Sequence, residues 1–401
     1  MPAPTQPFRL RSLAISVYLP SFLFAVGQGA MVPVLPLFAL ELGASPAEAG
    51  ALVALRGLGI LVFDIPAGAL VARIGERGAM LAGTVALAVV AAGAGATGSL
   101  LLLAPLVFVM GCAWSIWLLA RLAYASDAAP VEWRGRALSL LGGSNRMGTF
   151  VGPFVGGLVA EYAGLASAFA VQAGLAAAAA AVMFLVVPAD AGRAHTEGHA
   201  RPRIGSMLRD HRTTFATVGL AAVAIAVLRS TRQAVIPLWG SGLGLSASEI
   251  GIIFGLSSAL DMTMFYPAGF VMDRYGRKWT AVPCLLIFSV GMFLIPFTAG
   301  FAGLLAASLV TGVGNGMGAG INMTLGADVS PPGRRAEFLG VWRFVTDIGT
   351  AGGPLLLSVV TAVSTLGFAT LATGGIGLAG AAVMAFLVAE PLRRRNGVAG
   401  G

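Results

Sequence analysis

Three features of the sequence predict an all-α membrane protein of twelve transmembrane helices, built as two six-helix bundles related by an internal repeat. They are the composition, the spacing of the apolar runs and the self-similarity of the two halves. Of 401 residues, 57% are hydrophobic and 10% charged, and the mean hydropathy is +0.88. A soluble domain carries about 25% charged residues, so this chain cannot cover its own surface in water. The 56 glycines follow no collagen period, and so much apolar content excludes a disordered chain.

The apolar runs fall at 12–40, 46–71, 78–98, 100–125, 135–162 and 165–188, and again at 212–240, 247–272, 279–299, 301–327, 336–363 and 366–389. Each is too long for a strand and close to the ~20 residues that a crossing helix needs. At about 33 residues per helix and loop, the chain has room for twelve spans and no large soluble domain. The first run follows Arg9 and Arg11 but is too long for a signal-peptide core. No A-x-A cleavage site closes it, so it is expected to stay as the first helix.

The cations set the orientation. The loops on one side carry Arg73, Arg77, Arg134, Arg136, Arg193, Arg201, Arg203, Arg209, Arg212, Arg274, Arg277, Lys278, Arg334 and Arg335. Both termini add arginines to that side, and the opposite loops hold only Glu41, Glu48, Glu161 and Glu249. The positive-inside rule makes both termini cytoplasmic in a multi-pass protein of the cell membrane. The net charge of +8 therefore reads as topology, not as a nucleic-acid surface.

A shift of 201 residues, with no gap, aligns Pro36 with Pro237, Ser45 with Ser246, Glu48 with Glu249, Arg73 with Arg274, Gly75 with Gly276, Asp127 with Asp328, Arg134 with Arg335 and Pro153 with Pro354. The halves are residues 1–188 and 212–401, joined by a cytoplasmic linker at 189–211. Parallel repeats of this kind place a binding site between two bundles.

Little points to metal or thiol chemistry. Cys112 and Cys284 sit alone in apolar stretches, so neither a disulfide framework nor a zinc site is expected. The linker holds His195, Glu197, His199 and His211. His195 and His199 have metal-ligand spacing only if helical, and a glycine- and arginine-bearing loop is the favoured reading, with no metal. From Arg201 to Arg212, Ile204, Met207 and Leu208 interleave with basic residues. This segment is expected to lie as an amphipathic helix on the anionic leaflet.

After the eighth run the chain reads Gly269-Phe-Val-Met-Asp273-Arg274-Tyr-Gly276-Arg277-Lys278. This resembles the G-x-x-x-D-R-x-G-R-K signature of the major facilitator superfamily, and with the repeat the resemblance covers essentially the whole chain. Its first-half copy, Gly68-Ala-Leu-Val-Ala72-Arg73-Ile-Gly75-Glu76-Arg77, has Ala72 for the Asp and Glu76 for the following Arg. Glycines permit close approach and tight turns. An Asp among cations can hold neighbouring helices in one state and release them in another. The resemblance implies a cytoplasmic gate at Asp273, Arg274 and Arg277, with Arg73 in a weakened copy and Asp127 and Asp328 as acidic partners. Fixing topology is the alternative role for all of them.

The fifth run contains Gly148-Thr-Phe-Val-Gly152-Pro153-Phe-Val-Gly156-Gly157. This is similar to the G-x-x-x-G-P-x-x-G-G motif of the drug:proton antiporter branch. A hinge and ordinary glycine packing are both compatible with it. That branch usually has an Arg in the outer half of the fourth helix, where Val107 and its neighbours are apolar here. The glycines at 312, 314, 316, 318 and 320 read as helix packing, since no strand precedes them and no Lys-Ser/Thr follows.

Nine ionisable residues lie well inside the runs: Arg56, Asp64, Arg121, Arg146, Arg229, Arg232, Asp261, Arg343 and Asp347. A lone charge at mid-helix costs about 2.5–3.5 kcal/mol or more, so each needs a partner or a wet cavity. The family architecture places the second helix against the eleventh and the fifth against the eighth. At ~1.5 Å per residue, Arg146 and Asp261 then share one depth, about 16–18 Å from the cytoplasmic ends. Asp64 and Arg343 share another, at about 10–12 Å. Asp347 is the weaker match, reaching toward Arg56. Arg229 and Arg232 have no acid nearby; they either attract an anionic substrate group or bond carbonyls around Pro237. Gln28 adds hydrogen-bonding capacity at similar depth, and Trp114, Trp117, Tyr124 and Trp342 offer stacking or packing surfaces.

The reading is a monomeric secondary active transporter, not an enzyme, with no cofactor besides the proton gradient. Its expected partners are a small-molecule substrate and the lipid bilayer, not nucleic acid. Proton-coupled efflux of a small amphiphilic drug or metabolite leads, because Asp64, Asp261 and Asp347 can titrate when desolvated. A proton-coupled symporter importing a small anion is the alternative, favoured by the arginine surplus. An enzyme is disfavoured because no span holds a His/Cys/Asp cluster, and a sensor because no output domain is present.

Overall fold

The computed structural model describes residues 13–188, 204–318 and 320–388. The expectations for His195, His199 and the terminal arginines lie outside them. Every regular element among the described residues is helical.

Ten helices are long and apolar enough to cross a membrane. The longest, Pro46–Ala96, is broken at Gly75, where φ is 76° and ψ 166°. It is therefore two crossing helices joined by a turn. Val131–Ala163 is long enough to cross but more polar than the others. Twelve helices result. α1 is Ala14–Met31, continued beyond Pro33 by Val34–Glu41. α2 and α3 are the arms 46–74 and 76–96. α4 is Leu100–Asp127, α5 Val131–Ala163 and α6 Ala166–Val186. α7 is Arg212–Gly242, α8 Ala247–Arg274, α9 Lys278–Phe297 and α10 Gly300–Val329. α11 is Arg335–Val363 and α12 Leu366–Leu387.

The repeat is visible in local chemistry. α2 and α8 start with the same capping box, in which Ser45 or Ser246 accepts from the backbone of Glu48 or Glu249 and the glutamate reaches back. This satisfies N–H groups that the first turn leaves open. At the other ends of these helices, Gly75 and Gly276 both have positive φ, 76° and 112°, a region that costs glycine nothing.

In the first half α1 packs on α5 and α6, and the α2–α3 arms on α4; in the second, α8 and α9 pack on α10, and α7 on α11 and α12. Two seams join the halves, α2 with α11 and α5 with α8. The α5 motif builds one of them. Gly148, Gly152 and Gly156 press against the backbone of α1, and a Cβ at Gly156 would run into the Ala30 carbonyl. Gly157 faces α8, where a Cβ would meet the Ala247 carbonyl at 2.7 Å. In the other seam, a Cβ on Gly57 would lie 2.8 Å from Ala351 Cα. These close contacts sit in the halves of the helices remote from the arginine-rich loops. The α10 glycines are likewise packing positions: Gly312 meets the Ser257 carbonyl and Gly314 the Phe288 backbone.

The helix Ile204–Asp210 corrects one expectation. Met207 is fully buried, and Ile204 and Leu208 pack on the same core. Its apolar side chains thus pack on the protein's own core, Met207 fully and Ile204 and Leu208 in part. Arg334 ties its end down through Asp210 at 3.6 Å.

Gly156→Ala is expected to lower the thermal unfolding temperature of the full chain in detergent, since overpacking typically costs about 1–3 kcal/mol. Gly142→Ala, at a position with open space around it, is expected to leave it unchanged. Equal melting of the two variants would contradict the packing role of the α5 motif.

Candidate transport site

Each seam carries an arginine–aspartate pair. Arg146 Nη1 on α5 lies 3.3 Å from Asp261 Oδ1 on α8, and its guanidinium sits over Phe265, 4.6 Å from the ring centre. Arg343 Nη2 on α11 lies 2.8 Å from Asp64 Oδ1 on α2. The repeat register relates the two pairs. It aligns Ile60 with Asp261 and Gly142 with Arg343, so both members of the α2–α11 pair are displaced by four residues. Four residues are about 6 Å of helix, and the displacement runs toward the arginine-rich loops. The position equivalent to Arg146 is occupied by Asp347.

Asp347 makes the α2–α11 site a three-charge cluster. Its Oδ2 lies 3.5 Å from Arg343 Nε, and its Oδ1 accepts from Thr350 at 3.3 Å. Asp64 Oδ1 also accepts from the Ser115 hydroxyl on α4 at 2.5 Å, while Asp64 Oδ2 is buried without a hydrogen-bond partner. Two carboxylates thus share one guanidinium. The expected reach of Asp347 toward Arg56 is not made, because Arg343, one turn away on the same helix, is nearer. Arg56 instead donates to Gln28 Oε1 at 2.6 Å and lies over Trp114.

The α5–α8 pair extends inward through a residue that the charge pattern did not flag. Asn315 on α10 donates to Asp261 Oδ2 and accepts from Arg229 Nε at 2.7 Å. Arg229 on α7 is therefore linked to the seam through α10. Arg232 donates to Ser257 Oγ on α8 at 2.6 Å and lies over Phe254. Neither arginine uses the carbonyls near Pro237. Among the described residues, Arg56, Arg229 and Arg232 have no carboxylate at salt-bridge distance, and each keeps a buried N–H without an acceptor. Gln28 Nε2 is unpartnered too. The aromatic residues divide: Trp117 is fully buried, stacked on Phe24 at 3.7 Å with Arg121 over its ring. Trp342 donates to the Asn322 carbonyl.

On the arginine-rich face, Arg277 Nε donates to Asp328 Oδ2 at 2.6 Å, Arg277 Nη1 to the Met272 carbonyl at 2.9 Å, and Asp273 lies 3.6 Å away. Asp273 is largely exposed, as are Arg73 and Arg274. Gly68 and Gly269 have room for a side chain, so close approach is not what requires glycine there. The turn glycines, Gly75 and Gly276, are required by their φ.

A model of the Major Facilitator Superfamily matches residues 17–232 and again residues 218–401. The chain belongs to this superfamily. An uncharacterized MFS-type transporter of Methanocaldococcus jannaschii is 20% identical over 85% of this chain and 89% of its own length. A hexuronate transporter of Bacillus subtilis is 31% identical over 36% of this chain and 35% of its own. The quinolone resistance protein NorA of Staphylococcus aureus is 28% identical over 30% and 31%. In fold the chain is similar to the crystal structure of a D-xylose–proton symporter, with a TM-score of 0.76 and 17% identity over 95% of this chain and 98% of the other. The protein is a membrane transporter and not an enzyme.

Sequence reasoning found both seam pairs because the family resemblance supplied the neighbouring helices and depth along a helix is countable. It missed Asn315, Ser115 and Ser257, whose only signal is a polar residue in an apolar run. Removing one member of a seam pair leaves its partner unpaired, which typically costs 3–5 kcal/mol when buried and less at these partly wet sites. Arg146→Ala and Asp261→Ala are each expected to cut transport strongly, and the swap Arg146→Asp with Asp261→Arg to restore part of it. Normal transport in both single variants would remove the pair from the mechanism.

Proposed function

We propose that the chain is a proton-coupled secondary transporter that works by alternating access, with its arginine-rich loops and both termini in the cytoplasm of a cell-membrane protein. The observation that carries this reading is the pairing of charge across both seams. The halves touch closely on the side remote from the arginine-rich loops, and nearer those loops each seam carries an Arg–Asp pair. Rocking one bundle on the other must break them. A proton on an aspartate weakens its pair, so protonation biases the equilibrium between states. The cluster of Asp64, Asp347 and Arg343 suits this task best, because two carboxylates facing one cation leave one negative charge for a proton to cancel.

The substrate is a small amphiphile carrying an anionic group. Six arginines face three aspartates in the core, and Arg56, Arg229 and Arg232 hold unpaired donors there. Export is supported by the α5 motif and the match to NorA. Import of an anion is the second reading, favoured by the arginine surplus and the match to a hexuronate transporter.

The purified chain in proteoliposomes with an imposed pH gradient is expected to move labelled organic acids and not lipophilic cations. Asp347→Asn is expected to abolish the dependence on the gradient while leaving exchange at equal pH. Transport of cations alone, or gradient dependence unchanged in Asp347→Asn, would overturn the substrate class or the coupling site respectively. A cysteine at Gly244 is expected to react with an impermeant thiol reagent from outside intact cells, and one at Ala200 is not; the reverse would invert the topology.

A further inference from the structure

The turn between α2 and α3 and the turn between α8 and α9 are near copies. Arg77 donates to the Phe184 carbonyl at 2.9 Å, and its repeat mate Lys278 donates to the Ala385 carbonyl, the repeat mate of Phe184, at 2.8 Å. The turn glycines and the acids ending α4 and α10 also correspond. Within this matched frame one side chain has opposite charge. Arg277 bonds Asp328 in the second half, whereas Glu76 stands opposite Asp127 in the first.

Glu76 has not swung away from its acidic neighbour. It is 7% exposed, its Oε2 is buried without a hydrogen-bond partner, and its carboxyl is within hydrogen-bonding reach of Asp127. Two ionised carboxylates cannot hydrogen-bond each other, but a carboxylic acid and a carboxylate can. We propose that Glu76 and Asp127 bind one proton between them, and that this proton replaces, in the first half, the arginine that ties the equivalent turn to its helix in the second. The α2–α3 turn is therefore fastened to α4 by a proton, and the α8–α9 turn to α10 by a permanent ion pair. Asp328 meets a cation at every physiological pH, while Asp127 meets a neutral acid only while the proton stays.

Residues 72–77 lie between the apolar runs 46–71 and 78–98, on the arginine-rich face, so Glu76, the first residue of α3, stands outside the apolar part of the span. Burial, and then the adjoining Asp127 charge, push the Glu76 carboxyl up to about 7. The folded protein thus holds a proton that the unfolded chain releases over the ordinary carboxylate range. Its contribution to stability is full at acid pH and is lost as pH rises through about 7. The other ionisable groups on the packed elements include Tyr124 and Arg121 on α4, Tyr18 at the start of α1, Arg73 and Arg77 on the turn, and Glu132, Arg134 and Arg136 at the start of α5. Arg77 is held by the Phe184 carbonyl and Arg134 by the Ser126 carbonyl. The site is separate from the seam clusters, and its test does not depend on them.

The test uses the full chain in lipid nanodiscs, spin-labelled at Ala72→Cys and Val131→Cys, two exposed positions on the turn and at the start of α5. Cys112 and Cys284 are buried. The inter-label distance distribution is expected to lengthen between about pH 6 and about pH 8. Glu76→Gln, which imitates the protonated acid, and Glu76→Arg, which copies the second half, are expected to hold the short distance throughout. Asp127→Asn, which removes the like charge that helps push the Glu76 carboxyl up, is expected to move the midpoint to lower pH. A wild-type distribution that ignores pH, a pH response retained in Glu76→Gln, or an unmoved midpoint in Asp127→Asn would overturn the proposal.

Discussion

The structure depends on how six arginines and three aspartates are kept out of hydrocarbon. A buried charge is tolerated only with a partner and further hydrogen bonds. Here those partners are drawn from different helices, and at the seams from different halves. Arg146 reaches Asp261 across one seam and Arg343 reaches Asp64 across the other. The bundles are locked to each other by the same groups that would be intolerable alone. Such a lock is reversible, because water can replace either partner and a proton can take the arginine's place on the aspartate.

Glycine and charge divide the seams between them. Where Gly157 meets Ala247 and Gly57 meets Ala351, backbones touch, and such contact favours a pivot over a wide separation. Toward the arginine-rich loops each seam carries an Arg–Asp ion pair, an interaction of longer range than backbone contact. A bundle that rocks about its backbone contacts opens its ion pairs first. The displacement of the α2–α11 pair by one turn relative to the α5–α8 pair means that the seams do not part at the same depth. The repeat is therefore asymmetric where it matters mechanically, with Asp347 replacing an arginine at the offset position.

Much of this was legible in the sequence. The twelve helices follow from hydrophobic runs of fixed minimum length, the run 135–162 among them, although Asn145, Arg146 and its glycines make α5 more polar than the others. The seam pairs followed from the helix pairing that the family resemblance implies, with depth counted along helices of constant rise. What could not be read was lateral choice. Arg56 takes Gln28 and not Asp347, because side-chain direction around a helix decides between partners at similar depth. Asn315 joins Arg229 to Asp261 for the same reason. The amphipathic segment at Ile204–Asp210 has a correct period but the opposite partner, since periodicity does not say whether protein or lipid covers an apolar face. The residues at Ala72 and Glu76 looked like decay of a motif; the structure gives Glu76 a buried place beside Asp127.

The central claim, that the seam aspartates hold the two bundles together on the arginine-rich side, is tested most directly by distances between halves. Spin labels at Val131→Cys, at the start of α5, and Tyr275→Cys, at the end of α8, report on that side in nanodiscs at neutral pH. Neutralising Asp64 and Asp261 together is expected to shift the distance distribution away from that of the parent chain. An identical distribution with both carboxylates removed would contradict the account.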